Sequence, residues 1–239
     1  MTALDQKWLI RIVLKRMNFG SKFSEQRIFS AYHSSAKDLY AAHAHLSKVC
    51  ECIETGATTV DKVAVVPMLP FQPMLCHRNG FNMIETLLSK SEYYLETKMD
   101  GERFQIHLLD GKYKYFSRRG YEYEKSFGSS AIEGALTPYL HRSFKKPVVS
   151  IILDGEMMVW NKEELRYHSK GENYDVKALS FSDATLRPCF CAYDILFLNG
   201  TSLTNVPYGE RKQLLHSLIE EREGMVTFTK PIKINNWLI

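Results

Sequence analysis

Three prolines in a run of seven residues divide this chain into parts that must fold differently. Pro67, Pro70 and Pro73 each lack a backbone donor, and each ring clashes with the preceding helical turn, so no helix runs through them. Before them, apolar residues recur at helical spacing. Leu4, Trp8 and Ile12, with Leu9 and Val13 beside them, form one stripe, and Asn18 with Gly20 supplies a stop. A second helix is expected to start at Ser24 and to bury Ile28, Phe29 and Tyr32. In a third, Ser35 and Asp38 suit a capping box, and Leu39, Ala42, Leu46, Val49 and Ile53 share a face. Roughly sixty residues lie near the lower limit for an independent core. Residues 1–62 are therefore assigned to the end of an all-α domain whose beginning is missing, and 63–239 to a second domain.

After Tyr93 the period changes from helical to alternating. Arg103 to Leu109 and Lys112 to Ser117 flank Asp110-Gly111, a hairpin turn signal. Val148 to Trp160, Pro188 to Leu198 and Met225 to Lys230 read as strands, with helical segments around Ala131 to Phe144 and Tyr208 to Glu223. Antiparallel strands with helices inserted between them predict an α+β fold. The 45% hydrophobic content argues against a disordered chain. No apolar run approaches the ~20 residues of a membrane span, so a soluble, intracellular protein without a membrane partner is expected. The net charge of +4 permits a polyanionic partner without identifying one. Five cysteines without Cys-x-x-Cys spacing and eight scattered histidines predict no zinc site, and no phosphate-binding Gly-rich loop of the P-loop type occurs.

The chemistry concentrates in Lys98-Met99-Asp100-Gly101-Glu102-Arg103. One reading is an exposed Asp-Gly turn among solvated charges. The other is a nucleophile, because the segment opens the β-rich part directly after the apolar Tyr93-Tyr94-Leu95. A lysine attacks phosphorus only as the neutral amine, and at an ordinary pKa of ~10.4 about one in a few thousand is neutral at pH 7. A site that uses it must disfavour its charged form by burial, neighbouring cations such as Arg103, or a metal ion. Farther on, Leu153-Asp154-Gly155-Glu156-Met157 places two carboxylates on one strand face, where an exposed acidic edge is the plain alternative. Cys189, Cys191 and Tyr193 share a strand face too, and serve equally well as plain apolar packing.

Together these motifs resemble the covalent nucleotidyltransferases, which include ATP-dependent DNA ligases, RNA ligases and mRNA capping enzymes. Phe71-Gln72-Pro73-Met74-Leu75, Glu96 to Arg103 and Lys114 to Tyr121 are most similar to the ligase IV branch of the DNA ligases, in the family's order. Lys7 to Arg11 resembles the end of that branch's helical DNA-binding domain, which makes 1–62 its remnant and 63–239 an adenylation domain. The resemblance implies that Lys98 is adenylylated by ATP and that Glu96 accepts from the adenine amino group, with Thr97 and Met99 lining the base pocket. It places Arg103 and Arg118 on the ribose and phosphate side, Glu156 on ribose and Mg2+, Lys170 on the nucleotide, and Tyr193 against the adenine ring. Tyr193 stands where the family usually has Phe, so its hydroxyl needs a partner if buried.

The implied partners are double-stranded DNA ends or nicks, held mainly by the phosphate backbone. For the full-length enzyme they include a protein scaffold of end joining, and the implied location is the nucleus. Glu223-Gly224-Met225-Val226 resembles a later family motif, but Phe228 stands at its lysine position, and the segment reads as a helix end leading into a strand. The adenylation domain is thus expected to be incomplete at its C-terminus. A silent fragment that only binds DNA or a protein, an RNA ligase and a capping guanylyltransferase remain as alternatives.

Overall fold

A computed structural model describes residues 1–14, 25–43, 45–58, 65–80, 83, 93–168, 172, 174–180 and 182–234. Four helices come first: α1 (Ala3–Val13), α2 (Glu25–Tyr32), α3 (Ala36–His43) and α4 (Leu46–Glu54). Thr2 and Asp5 form a capping box at the start of α1, satisfying two orphan backbone donors. The stripe on α1 forms but covers nothing, since none of its residues is buried. On α2 only Phe29 is buried among the three expected residues; Ile28 and Tyr32 are exposed. The expected third helix is two. His45 is extended, its ring nitrogen meets the Ser47 hydroxyl at 2.8 Å, and α4 starts afresh after it, leaving Leu46 exposed. Phe29, Ala36, Leu39, Val49 and Cys52 make a small core of their own. The 62/63 boundary and the stop at Asn18 and Gly20 lie outside the described residues.

The second part is built on a seven-stranded sheet of described strands. β1 (Tyr93–Leu95) pairs separately with β9 (Ile232–Ile234). The main sheet runs β3 (Lys112–Ser117), β2 (Glu102–Leu109), β4 (Ser150–Asn161), β6 (Leu186–Leu198) and β7 (Thr201–Ser202). β5 (Arg166–Tyr167) adds to β4, and β8 (Val226–Phe228) lies parallel to β6. The β2–β3 hairpin forms as expected. Leu109 faces Lys112, and Asp110 and Gly111 take φ of 48° and 79°, the left-handed pair that a two-residue turn requires. Helices α5 (Glu124–Phe127), α6 (Thr137–Ser143) and α7 (Tyr208–Leu218) complete the α+β architecture. α7 ends at Leu218, before the expected Glu223. Glu223-Gly224 instead forms a tight turn closed by an Arg222–Val226 bridge, with Gly224 at φ 64°.

β4 explains how the site is placed. It is central, so all of it is buried, and its acidic pair is no exposed edge. Period-two geometry then divides its residues. Ile151, Leu153, Met157 and Val159 join Phe104, Ile106, Phe190 and the helices in the main core. Ile152, Asp154, Glu156, Met158 and Trp160 face the other way. Ile152 lies under Val65 and Phe71, while Met158 and Trp160 pack with Cys189 and Cys191. The two carboxylates fall between these apolar patches. No helix among the described residues is long and apolar enough to cross a membrane.

Candidate active site

A cleft of about 1130 Å³ opens over this face, lined by Glu96, Thr97, Lys98, Arg103, Arg118, Glu156 and Tyr193 among others. Sequence-predicted residues far apart in the chain thus meet in one place. Met99 does not line it; it packs against Met158, Trp160, Cys189 and Cys191. Lys170 lies outside the described residues.

Glu156 and Tyr193 are joined. The Tyr193 hydroxyl donates to Glu156 Oε2 at 2.9 Å, which supplies the partner its burial demands, and the Gly101 N–H donates to Glu156 Oε1 at 3.2 Å. Opposite Asp154 and Gly155 the register skips from Asp194 to Ala192, so Tyr193 is the extra residue of a β-bulge, a device that re-aims a side chain. Burial, and then the charge of Glu156, pushes the Tyr193 phenol up.

Arg103 is held from three sides. Nε donates to Asp154 Oδ1 at 2.9 Å, a second nitrogen donates to Asp154 Oδ2, and the third reaches the Met74 carbonyl at 3.3 Å. The guanidinium lies 5.7 Å from the centre of the Tyr193 ring. It therefore braces the cleft wall, with two of its five N–H groups left for a ligand. Burial raises the Asp154 carboxyl more than Arg103 lowers it.

The lysines differ in what holds them. Lys177 pairs with Glu102 at 2.7 Å and with Asp175 at 3.4 Å. Lys212, buried at 3% exposure, donates to the Thr229 hydroxyl and the Tyr193 carbonyl. Lys98 is exposed and has no hydrogen bond or ion pair with any described residue.

A sequence profile of the ATP dependent DNA ligase domain matches residues 73–237. The chain belongs to the ATP-dependent DNA ligase family. DNA ligase 4 of Gallus gallus is 37% identical over 225 residues, covering 94% of this chain and 24% of the relative. The Homo sapiens DNA ligase 4 is 36% identical with the same coverage, and that of Coprinopsis cinerea is 36% identical over 235 residues, 96% of this chain and 23% of the relative. The chain spans about a quarter of the length of these curated relatives. A solved mycobacterial DNA ligase D complexed with ATP and MES aligns over 59% of this chain and 40% of its own, at 19% identity and a TM-score of 0.39.

Several residues in and behind the cleft escaped the sequence reading. Tyr208 lines the cleft with its hydroxyl beside the Glu96 carboxylate. Arg211 clamps Asp194 through two bonds of 2.7 Å. For Lys212 a signal existed: Tyr208, Lys212, Leu215 and Ile219 fall on one helical face, so a charge stands at a core position. Asp154 was visible beside Glu156, but only the fold shows that it braces Arg103.

Proposed function

We propose that this chain carries the adenylation centre of a DNA ligase and that Lys98 is its nucleophile. The carrying observation is that Lys98 stands in the cleft with Glu156 and Tyr193 and, unlike Lys177 and Lys212, is engaged by no described residue. In the proposed step, the neutral Lys98 amine attacks the α-phosphorus of ATP. An N–P bond forms, the bond to the β-phosphate oxygen breaks, pyrophosphate leaves, and the amine gives up a proton. AMP then passes to a DNA 5′-phosphate, and a neighbouring 3′-hydroxyl displaces it.

The cleft suits an adenine nucleotide. Glu96 is 26% exposed, with Oε1 buried on the protein side, which leaves Oε2 to accept from the adenine amino group. The Tyr208 hydroxyl, beside Glu96, adds a polar group to this wall. Arg118 and the free N–H groups of Arg103 supply positive charge for ribose and phosphate oxygens. Tyr193 offers a ring for the base, and Thr97 stands on the same wall. Glu156 is the residue to hold Mg2+, which would balance charge on the phosphates. A single carboxylate suits magnesium, which keeps most of its waters and takes substrate oxygens. No cluster of three metal-ligating side chains occurs among the described residues.

The likeness to DNA ligase 4 supports a nuclear role in joining double-strand breaks, with DNA held through its phosphates and a protein scaffold bound by the full-length enzyme. The match to a DNA ligase domain favours this over the RNA-ligase and capping readings. Incubating the full-length protein with α-labelled ATP and magnesium tests it. Label should attach covalently to the native protein and be lost in Lys98→Ala; equal label on both overturns the assignment.

A further inference from the structure

We infer that Lys212 is the positioning residue of the base pocket: it holds the Glu96 carboxylate as a pure acceptor and so sets the preference for purines bearing a 6-amino group over those bearing a 6-oxo group. This rests on the reading of Glu96 as the base contact.

Lys212 lies in α7, outside every motif that carries the nucleotide chemistry. It is nonetheless buried, and its ammonium is ringed by oxygen. Thr229 Oγ1 lies at 2.7 Å, the Tyr193 carbonyl at 3.1 Å and Glu96 Oε1 at 3.3 Å. Thr229 Oγ1 and the Tyr193 carbonyl accept hydrogen bonds from the ammonium, and the Glu96 carboxylate faces it as an ion pair. Burial pulls Lys212 below its ordinary range, and the Glu96 charge works against that. The same contact acts on Glu96. Burial pushes its carboxyl up, and the neighbouring Tyr208 and Thr229 hydroxyls with the Lys212 charge outweigh burial, leaving it lowered.

The three oxygens come from three walls of the cleft: the segment after β1, the bulge in β6, and the residue after β8. Lys212 therefore ties the base acceptor to the backbone of the proposed stacking residue. The chemical consequence concerns selectivity. An ionised Glu96 accepts from a 6-amino group and repels the lone pairs of a 6-oxo group. Without the ammonium the buried carboxyl takes up a proton more readily, and then donates to a 6-oxo group as well.

The test is equilibrium binding of AMP and inosine monophosphate to the full-length protein, native and as Lys212→Met, Glu96→Gln and the double variant. The native protein should prefer AMP. Lys212→Met should lower that preference about tenfold, the scale of a lost charge-assisted hydrogen bond. In the Glu96→Gln background it should change it by less than about twofold, because Lys212 acts through Glu96. A merely structural lysine would weaken both nucleotides equally and leave the ratio unmoved. A retained ratio in Lys212→Met, with the ratio lost in Glu96→Gln, overturns the inference and leaves the base-pocket reading standing. An unchanged ratio in Glu96→Gln, or no native preference for AMP, overturns both. Should Lys212→Met fail to fold, Thr229→Val removes one of the ammonium's three oxygens. It should lose part of the preference, and full retention there also overturns the inference.

Discussion

Gly101 is required by what lies beneath it. A Cβ there would intrude on the Met157 carbonyl oxygen and come within 3.0 Å of Glu156 Cγ and Met158 Cγ. The loop carrying Lys98 therefore lies directly on β4, and the Gly101 N–H fastens it to Glu156. The sequence pointed to a tight turn at this glycine, but the cause is close approach to a strand more than fifty residues away, which no local pattern contains. Gly101→Ala should lift the loop off β4. We expect lysine labelling by ATP to slow about a hundredfold, the cost of roughly an ångström of misplacement. Urea unfolding should show a smaller effect, about 1–3 kcal/mol of overpacking. Native-rate labelling in Gly101→Ala would contradict this role. That Glu96, Lys98, Glu156 and Tyr193 share one cleft was foreseeable from short local motifs that resemble a known family's in order. Lys212 was legible only as a charge in an apolar stripe, and its meaning came from the tertiary contact with Glu96.

The segment from Val65 to Met74 shows what an element adds. Its prolines announced a boundary, but not that it straps across the sheet beside the cleft. Gln105 on β2 holds both the N–H and the carbonyl of Phe71, and the His107 ring nitrogen Nδ1 accepts from the Met68 N–H at 3.0 Å. The strap then supplies the Met74 carbonyl to Arg103. His107 is wholly buried and neutral in this arrangement, its pKa held down from 6.5 to about 3 by burial, with the charge of Lys114 adding to it. The unfolded chain thus binds a proton near pH 6.5 that the fold refuses until about pH 3. The associated stability is present above pH 6.5 and drains away as pH falls toward 3. Between pH 7 and pH 4 the loss from this group is on the order of 3 kcal/mol. His107→Asn keeps an acceptor near Nδ1 and removes the titration. Its urea-unfolding free energy should fall less steeply with acid than that of the native chain, and parallel pH profiles would refute the account. The hairpin at Asp110-Gly111 needed no such tertiary help, because its turn chemistry is contained in two residues.

At the scale of the molecule, periodicity located β2, β3, β4, β6 and β8 but not the two- and three-residue strands β1, β5, β7 and β9, and it missed where the helical part breaks. Leu39, Ala42, Leu46 and Val49 keep helical spacing straight through His45, so the pattern alone cannot reveal the interruption there. Nor can a stripe say whether it is covered: α1 has one and buries none of it. The parallel pairing of β8 with β6 was equally invisible, because a strand's neighbours are chosen by the core rather than by its own residues. What the whole fold achieves is to bring the loop after β1, one face of β4 and the bulge of β6 together in the cleft that Lys98 lines. The most direct test is to expose the full-length protein to ATP and magnesium, digest it, and locate the AMP-bearing residue by peptide mass spectrometry. The account predicts AMP on the peptide containing Lys98; AMP on Lys177 or Lys212 in place of Lys98 would contradict it.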